Sequence, residues 1–237
     1  MCDCSLIIPT RNRRETLEGT LGRLARLSDC GFEVIVIDNG SDDGTIELCG
    51  RFPFVRVIEL HENRGASARN VGAEAAQGRV LFMLDDDSWP EPGVIETLVR
   101  RFDTRPDLGA IACRVLLADG SGRHDAGGVP GIFFNCGGAV RREAFMQAGG
   151  FPSEFDYYAE EYDLCCKLWQ ADLRVEPHGD LVVHHRRTTV NRDNNRMLRL
   201  LVRNNVLLWQ RYGPDCRVRD LVDSTIERYR RVALKEG

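Results

Sequence analysis

Lysine is nearly missing: Lys167 and Lys235 are the only two in 237 residues, so almost all positive charge is guanidinium, which pairs well with phosphate and carboxylate. No run approaches the ~18 apolar residues of a membrane span, and the start MCDCSLIIPT lacks a basic segment leading into an apolar one. Neither a spanning helix nor a secretory leader is expected. The nine cysteines (2, 4, 30, 49, 113, 136, 165, 166, 216) are odd in number, scattered, and form no CxxC set. That argues against a zinc site or a disulfide framework and for a reduced, cytoplasmic location. An excess of basic charge is also lacking: Lys+Arg 32 against Asp+Glu 36 gives −4, so nucleic acid is not the expected partner. The balance is uneven, since residues 184–237 carry +7 and residues 1–183 carry −11. With 43% hydrophobic and 29% charged residues, the composition is that of a soluble globular protein of one large domain, or one domain with an appendage.

What is present is an alternation of short apolar runs with helix-length segments. Residues 5–9 (SLIIP) and 33–38 (EVIVID) read as buried parallel strands. Between them Leu17, Leu21, Leu24 and Leu27 recur at helical spacing, completing a βαβ unit. Helices at 43–49 and 66–76 then alternate with strands at 55–60 and 79–84, predicting a mostly parallel sheet covered on both faces. Ligands bind such sheets beyond the carboxyl ends of the strands, which places 10–12, 38–41 and 85–87 along one edge. After Pro90 come a helix at 93–103, a strand at 109–116, and a Gly-rich stretch at 120–138 read as loops around a second, mixed part of the sheet. Helices at 141–148 and 159–170, strands at 173–176 and 180–184, and helices at 194–212 and 218–234 complete the pattern. There is no internal repeat.

Candidate chemistry gathers at the strand ends. Asp85, Asp86 and Asp87 follow VLFML directly, and residues two apart on an extended chain share a face. Asp85 and Asp87 together would repel unless a divalent cation relieved them, although an acidic turn capping the next helix fits the same residues. Asp38 could accept from a base or ribose, or form an Asx turn before Asn39-Gly40. Glu160 and Glu161 open a helix, where the dipole favours acids anyway; as a functional pair they offer a general base. Strand alternation lets only one of His184 and His185 face the site, as metal ligand or phosphate contact. Arg64, Arg69 and Asn70 stand at a helix start suited to phosphate, or on a solvated helix face.

Taken in order, SLIIPTRNR, VIVIDNGSDDGT, NRGASARNVGAEAAQGRVLFMLDDD, NCGGAVRREAFMQAGGF and EEYDLCCKLW resemble the family 2 glycosyltransferases, from about residue 5 to about residue 186. The resemblance implies an α/β GT-A (nucleotide-diphospho-sugar transferase) fold: a mostly parallel Rossmann-like sheet with helices on both faces and a C-terminal helical extension. It divides the chain into a catalytic domain at 1–190, with nucleotide-binding (1–90) and acceptor-binding (91–190) halves, and an extension at 191–237. It further implies a UDP- or dTDP-sugar donor, Mg²⁺ or Mn²⁺, and inversion at the anomeric carbon, in a hexosyltransferase of polysaccharide, cell-envelope glycan or glycoconjugate synthesis.

By that resemblance Pro9, Thr10, Arg11, Asp38, Arg69, Asp85 and Asp86 would hold the nucleotide sugar, Asp87 and His184 the metal, and Glu161, with Glu160 beside it, the catalytic proton. His184 is preferred to His185 because the family places its ligand directly after the apolar strand. The family's Glu-Asp pair is here Glu160-Glu161. Two other functions are weighed: a catalytically silent nucleotide-sugar-binding module, and a sugar nucleotidyltransferase, which would want glycines that TRNRRET does not supply. The acceptor would be a saccharide or lipid-linked. In NNRMLRLLVRNNVLLWQRY, Arg196, Arg199 and Arg203 share a helical face opposite a broad apolar one. The expected role of 194–212 is packing on the catalytic domain or on a second subunit in a homodimer; the pattern also suits peripheral contact with an anionic membrane.

Overall fold

Strands β1 (Cys4–Thr10) and β2 (Phe32–Asp38) flank helix α1 (Arg14–Leu24) in a computed structural model that describes residues 3–126, 130–188 and 193–236. Leu6 and Ile8 of β1 pack with Leu17, Leu21 and Leu24 on one face of the sheet, while Ile7 joins Ile35, Ile37 and Ala73 on the other. A strand covered on both sides has no polar face, which is why SLIIP is an unbroken apolar run. Helix α1 has no side-chain N-cap, a deficit of about 1 kcal/mol. Its three fully buried leucines, at about 1.5–3 kcal/mol each, outweigh that.

Helix α2 (Thr45–Cys49), strand β3 (Val55–Glu59), helix α3 (Ala68–Ala75) and strand β4 (Val80–Met83) continue the alternation. The second half comprises β5 (Ser88–Pro90), α4 (Val94–Thr104), β6 (Leu108–Leu117), β7 (His124–Ala126), β8 (Gly138–Arg141), α5 (Arg142–Gln147), α6 (Glu160–Gln170) and β9 (Arg174–His185). One nine-stranded sheet results, in the order β3-β2-β1-β4-β8-β6-β9-β5, with β7 beside β6. The four N-terminal strands β1–β4 are parallel; β8 enters antiparallel between β4 and β6, and β9 runs parallel to β6. Thr10 pairs with Asp38 across β1 and β2, so their ends form the common edge that the sequence predicts.

Two expectations need correction. The stretch read as loops, 120–138, contains β7 and ends on the first residue of β8, Gly138, where a Cβ would collide with the Phe133 ring. The two short strands expected at 173–176 and 180–184 are one strand, β9, with an irregular register opposite Cys113 and Arg114. Gly127 and Gly128 of the Gly-rich stretch, Cys2, and the expected boundary at 190/191 lie outside the described residues.

Helices α7 (Asn194–Tyr212) and α8 (Val218–Glu236) form a hairpin, linked where Trp209 donates to the Thr225 hydroxyl at 2.9 Å. Helix α7 lies on α6 and the loop before it: Leu208 packs with Phe155 and Ala159, and Arg211 and Tyr212 both donate to Asp163 of α6 (3.0 and 2.8 Å). Arg196 and Arg203, which share a helical face as expected, reach to Asp156 and to the Glu154 and Phe155 carbonyls. No helix among the described residues is long and apolar enough to cross a membrane.

Candidate active site

Beyond β4 the three aspartates turn inward, and each finds different partners. Asp85 accepts from Arg69 at 2.5 Å. Asp86, buried, accepts from the Thr10 hydroxyl at 2.8 Å and lies 3.2 Å from Arg13. Asp87, also buried, is met by Arg13 at 2.8 Å, by the Thr188 backbone N–H at 3.0 Å, and by His185 Nε2 at 3.0 Å. The alternation expected of an extended chain is kept, because Asp85 and Asp87 share His185, whose Nε2 is 3.9 Å from Asp85, while Asp86 points to Thr10 and Arg13.

The histidine on this side is His185, not His184. Strand β9 runs one residue further than expected, pairing His185 with Ser88, so the even-numbered neighbour faces away. His184 stacks on Trp89 (centroids 6.0 Å apart) and bonds Glu91 at 2.9 Å. Asp125 of β7 holds His185 Nδ1 at 2.5 Å, leaving Nε2 to the aspartates. Ligand atoms of Asp85, Asp87 and His185 all lie within 4.8 Å of one another, and a carboxylate on the far ring nitrogen is the usual way a metal-binding imidazole is oriented. The donor set fits one Mg²⁺ or Mn²⁺.

Electrostatics divide the trio. Burial alone would raise Asp87, but the His185 hydrogen bond and charge, with Arg13, hold it well below the usual carboxylate range. Burial dominates at Asp86 and pushes it up to about 7 despite Arg13. Burial opposes charge on His185, yet Asp87, Asp85 and Asp125 carry it to about 9.

Glu160 and Glu161 begin α6 after a loop in which Asp156, Tyr158 and Ala159 have φ of 60°, 72° and 68°. Non-glycine residues pay about 1–3 kcal/mol each for such backbone, so the surrounding structure must hold it. Asn135 ties both glutamates, its Nδ2 donating to Glu160 at 2.9 Å and its backbone N–H to Glu161 at 3.2 Å. Burial raises both carboxyls, Glu160 well above its ordinary value, with the Glu161 charge adding to it. Glu160 Oε2 and Asn135 Oδ1 are buried with no hydrogen-bond partner among the described residues.

A single cavity of about 660 Å³ joins these groups: Asp85 and Asp86 lie on one side, Glu160 and Glu161 on another, and Met197, Leu200 and Leu201 of α7 close it. Pro9, Thr10, Arg11 and Arg69 line it too. Asp38 does not; fully buried, it accepts from the Ser41 backbone N–H at 3.0 Å, as an Asx turn would. Residues that sequence reasoning missed are Arg13, Asn135, Asp125 and the α7 side chains. Arg13 and Asn135 stood inside quoted motifs; Asp125, in a Gly-rich stretch, gave no signal.

The model of the family described as glycosyl transferase family 2 matches residues 5–129. The chain belongs to glycosyl transferase family 2. Among its relatives, an uncharacterized glycosyltransferase of Haemophilus influenzae is 28% identical over 222 residues, 80% of this chain and 71% of its own length. The pre-mycofactocin glycosyltransferase of Mycobacterium tuberculosis is 29% identical over 211 residues, 78% of this chain and 43% of its own. The dolichol-phosphate mannosyltransferase of Pyrococcus furiosus is 34% identical over 110 residues, 44% of this chain and 31% of its own. This family 2 chain therefore spans less than half of the latter two. Its fold is GT-A: S. aureus TarS superposes with TM-score 0.70 at 17% identity, covering 96% of this chain and 43% of TarS. The mannosyltransferase PcManGT from Pyrobaculum calidifontis, in complex with GDP-Man and Mn²⁺, gives 0.68 at 22%, covering 99% of this chain and 75% of that one.

Proposed function

We propose that this chain moves a sugar, with inversion, from a nucleotide-diphosphate donor to an acceptor hydroxyl on a saccharide or lipid-linked glycan. One observation carries the proposal: Asp85 and Asp86 of the inward-turned aspartate run and the Glu160–Glu161 pair border the same cavity. Solved structural neighbours in complex with GDP-Man and Mn²⁺, or with UDP-GlcNAc, support a nucleotide-sugar donor; UDP and dTDP are the first to test.

Asp85, Asp87 and His185 would hold Mg²⁺ or Mn²⁺, with Asp125 fixing the imidazole. When bound, the ion supplies Lewis-acid stabilisation of charge on the departing diphosphate. Arg69, at the start of α3 and paired with Asp85, adds guanidinium charge on the same side, and Pro9, Thr10 and Arg11 line the nucleotide end. Thr10 keeps Asp86 in place beside Arg13, where it would face the donor sugar. Glu161, half-buried at the cavity and held by the Asn135 N–H, removes the acceptor's proton as its oxygen attacks from the face opposite the leaving group. A single displacement inverts the sugar centre and needs no enzyme nucleophile. Glu160, deeper and with its neutral form favoured by burial, serves as a hydrogen-bonding group rather than a base.

The test combines a thermal-shift screen with product analysis. Nucleoside diphosphate plus Mn²⁺ should raise the melting temperature more than either alone, because ligands that bind only the native state stabilise it. The product's anomeric configuration, read by NMR, should be opposite to the donor's; retention, or binding of nucleotide sugars without any turnover, would overturn the proposal.

The pH profile gives a second check. A base must be deprotonated to act, so the rate is lost as pH falls through the pKa of Glu161. Because burial raises that pKa, the acid limb of kcat/KM should lie above the ~4.3 of an ordinary glutamate. A limb at or below ordinary values, measured at saturating Mn²⁺, would remove Glu161 from the role.

A further inference from the structure

The loop that delivers the glutamate pair is held from outside by α7. Asn204, fully buried in the middle of that helix, places its Nδ2 at 2.8, 2.8 and 2.6 Å from the carbonyl oxygens of Phe155, Tyr157 and Tyr158. Arg203 donates through Nε to Asn204 Oδ1 at 2.9 Å, which orients the amide with its nitrogen toward the loop. The same guanidinium donates to the Glu154 and Phe155 carbonyls at 2.7 and 2.9 Å. From the opposite side the Ala66 N–H meets the Asp156 carbonyl at 2.5 Å, an approach open only because Gly65 has no Cβ. Five successive carbonyls, 154–158, are thus occupied immediately before α6, across the residues whose backbone is left-handed. Nothing in the loop's own sequence favours that backbone, since Asp156, Tyr158 and Ala159 all carry a Cβ.

We propose that Asn204 is a positioning residue for transfer: through the Phe155, Tyr157 and Tyr158 carbonyls it fixes where α6 begins, and hence where Glu161 meets the acceptor hydroxyl. The proposal rests on Glu161 being the base. It makes α7 part of the catalytic apparatus rather than a stabilising appendage. Misplacement of a reacting group by about 1 Å can cost on the order of 10²-fold in rate.

The experiment uses the full chain and a donor and acceptor pair that the wild type turns over. Asn204→Ala should lower kcat by about tenfold to a hundredfold, with the donor Kd, measured by calorimetry with Mn²⁺, within about twofold of wild type. Asn204→Ser, which keeps one donor, should recover part of the loss and serves as the test where the alanine variant does not fold. Thr225→Val removes the Trp209–Thr225 hydrogen bond that ties α7 to α8 without touching the loop; it should lower the melting temperature yet leave kcat at low temperature within about threefold. In the Glu161→Gln background, Asn204→Ala should cause no further fall in kcat, because the two act on one step. Equal losses in kcat for Asn204→Ala and Thr225→Val, or full additivity with Glu161→Gln, would overturn the positioning role. Wild-type kcat in Glu161→Gln itself would instead overturn the base assignment, so the two failures are distinguishable.

Discussion

Glu161→Gln is expected to lower kcat by about 10²–10⁴-fold, the range general-base catalysis supplies, while donor affinity stays within about twofold of wild type. The glutamine keeps the volume and still accepts the Asn135 N–H now made to Glu161 at 3.2 Å, so the loop and the cavity wall are preserved. Only the ability to take a proton is lost. Donor binding depends on groups at the strand ends, none of which touches this side chain in the hydrogen-bond pattern described. A steady-state assay with calorimetric titration of the donor separates the two quantities. Glu160→Gln should be the milder change, because burial shifts Glu160 toward its neutral form and the amide is neutral too. Equal losses in the two variants would mean that the pair acts as a unit.

Asp87→Ala should fail in a different way, losing transfer and metal-dependent donor binding together. Asp87 is the most connected of the three aspartates, tied to Arg13, His185 and Thr188, and its carboxylate is held ionised. Loss of even a residue supporting a ligand typically costs 10–100-fold in metal affinity, so removal of a ligand should exceed about 100-fold. The variant also leaves the His185 imidazolium and the Arg13 guanidinium short of a buried partner, a stability cost of about 1.5–3 kcal/mol in the metal-free protein. Titration of Mn²⁺ with nucleoside diphosphate, alongside chemical denaturation, measures both. Wild-type Mn²⁺ dependence in this variant would place the ion elsewhere.

How much of this was legible in the sequence follows from what kind of signal each part carries. The β1–β4 half was readable because doubly covered strands are apolar throughout and α1 repeats leucine at helical spacing. The aspartate run announced itself by its place after VLFML. Strand β8 was not readable: its one glycine, Gly138, serves close approach to Phe133, and to sequence it looks like loop. The choice of His185 over His184 turned on whether β9 ends one residue earlier or later, and strand ends are set by pairing across the sheet, here with β5, not by local preference. Asp125, Asn135 and Asn204 reach their partners from 25 to 60 residues away in sequence, with no spacing rule to betray them. The shared face of the α7 arginines was legible from helical spacing, but not the loop carbonyls that Arg203 meets.

The cleft's two walls come from different kinds of backbone. One wall is strand ends, whose spacing is locked by ladder pairing between Thr10 and Asp38 and between Ser88 and His185. The other includes one face of helix α7, contributing Met197, Leu200 and Leu201. Side chains on that helix can therefore be exchanged for larger or smaller ones without disturbing a single sheet hydrogen bond, so the shape of the cleft can be recut on one side while its ionic side keeps its dimensions.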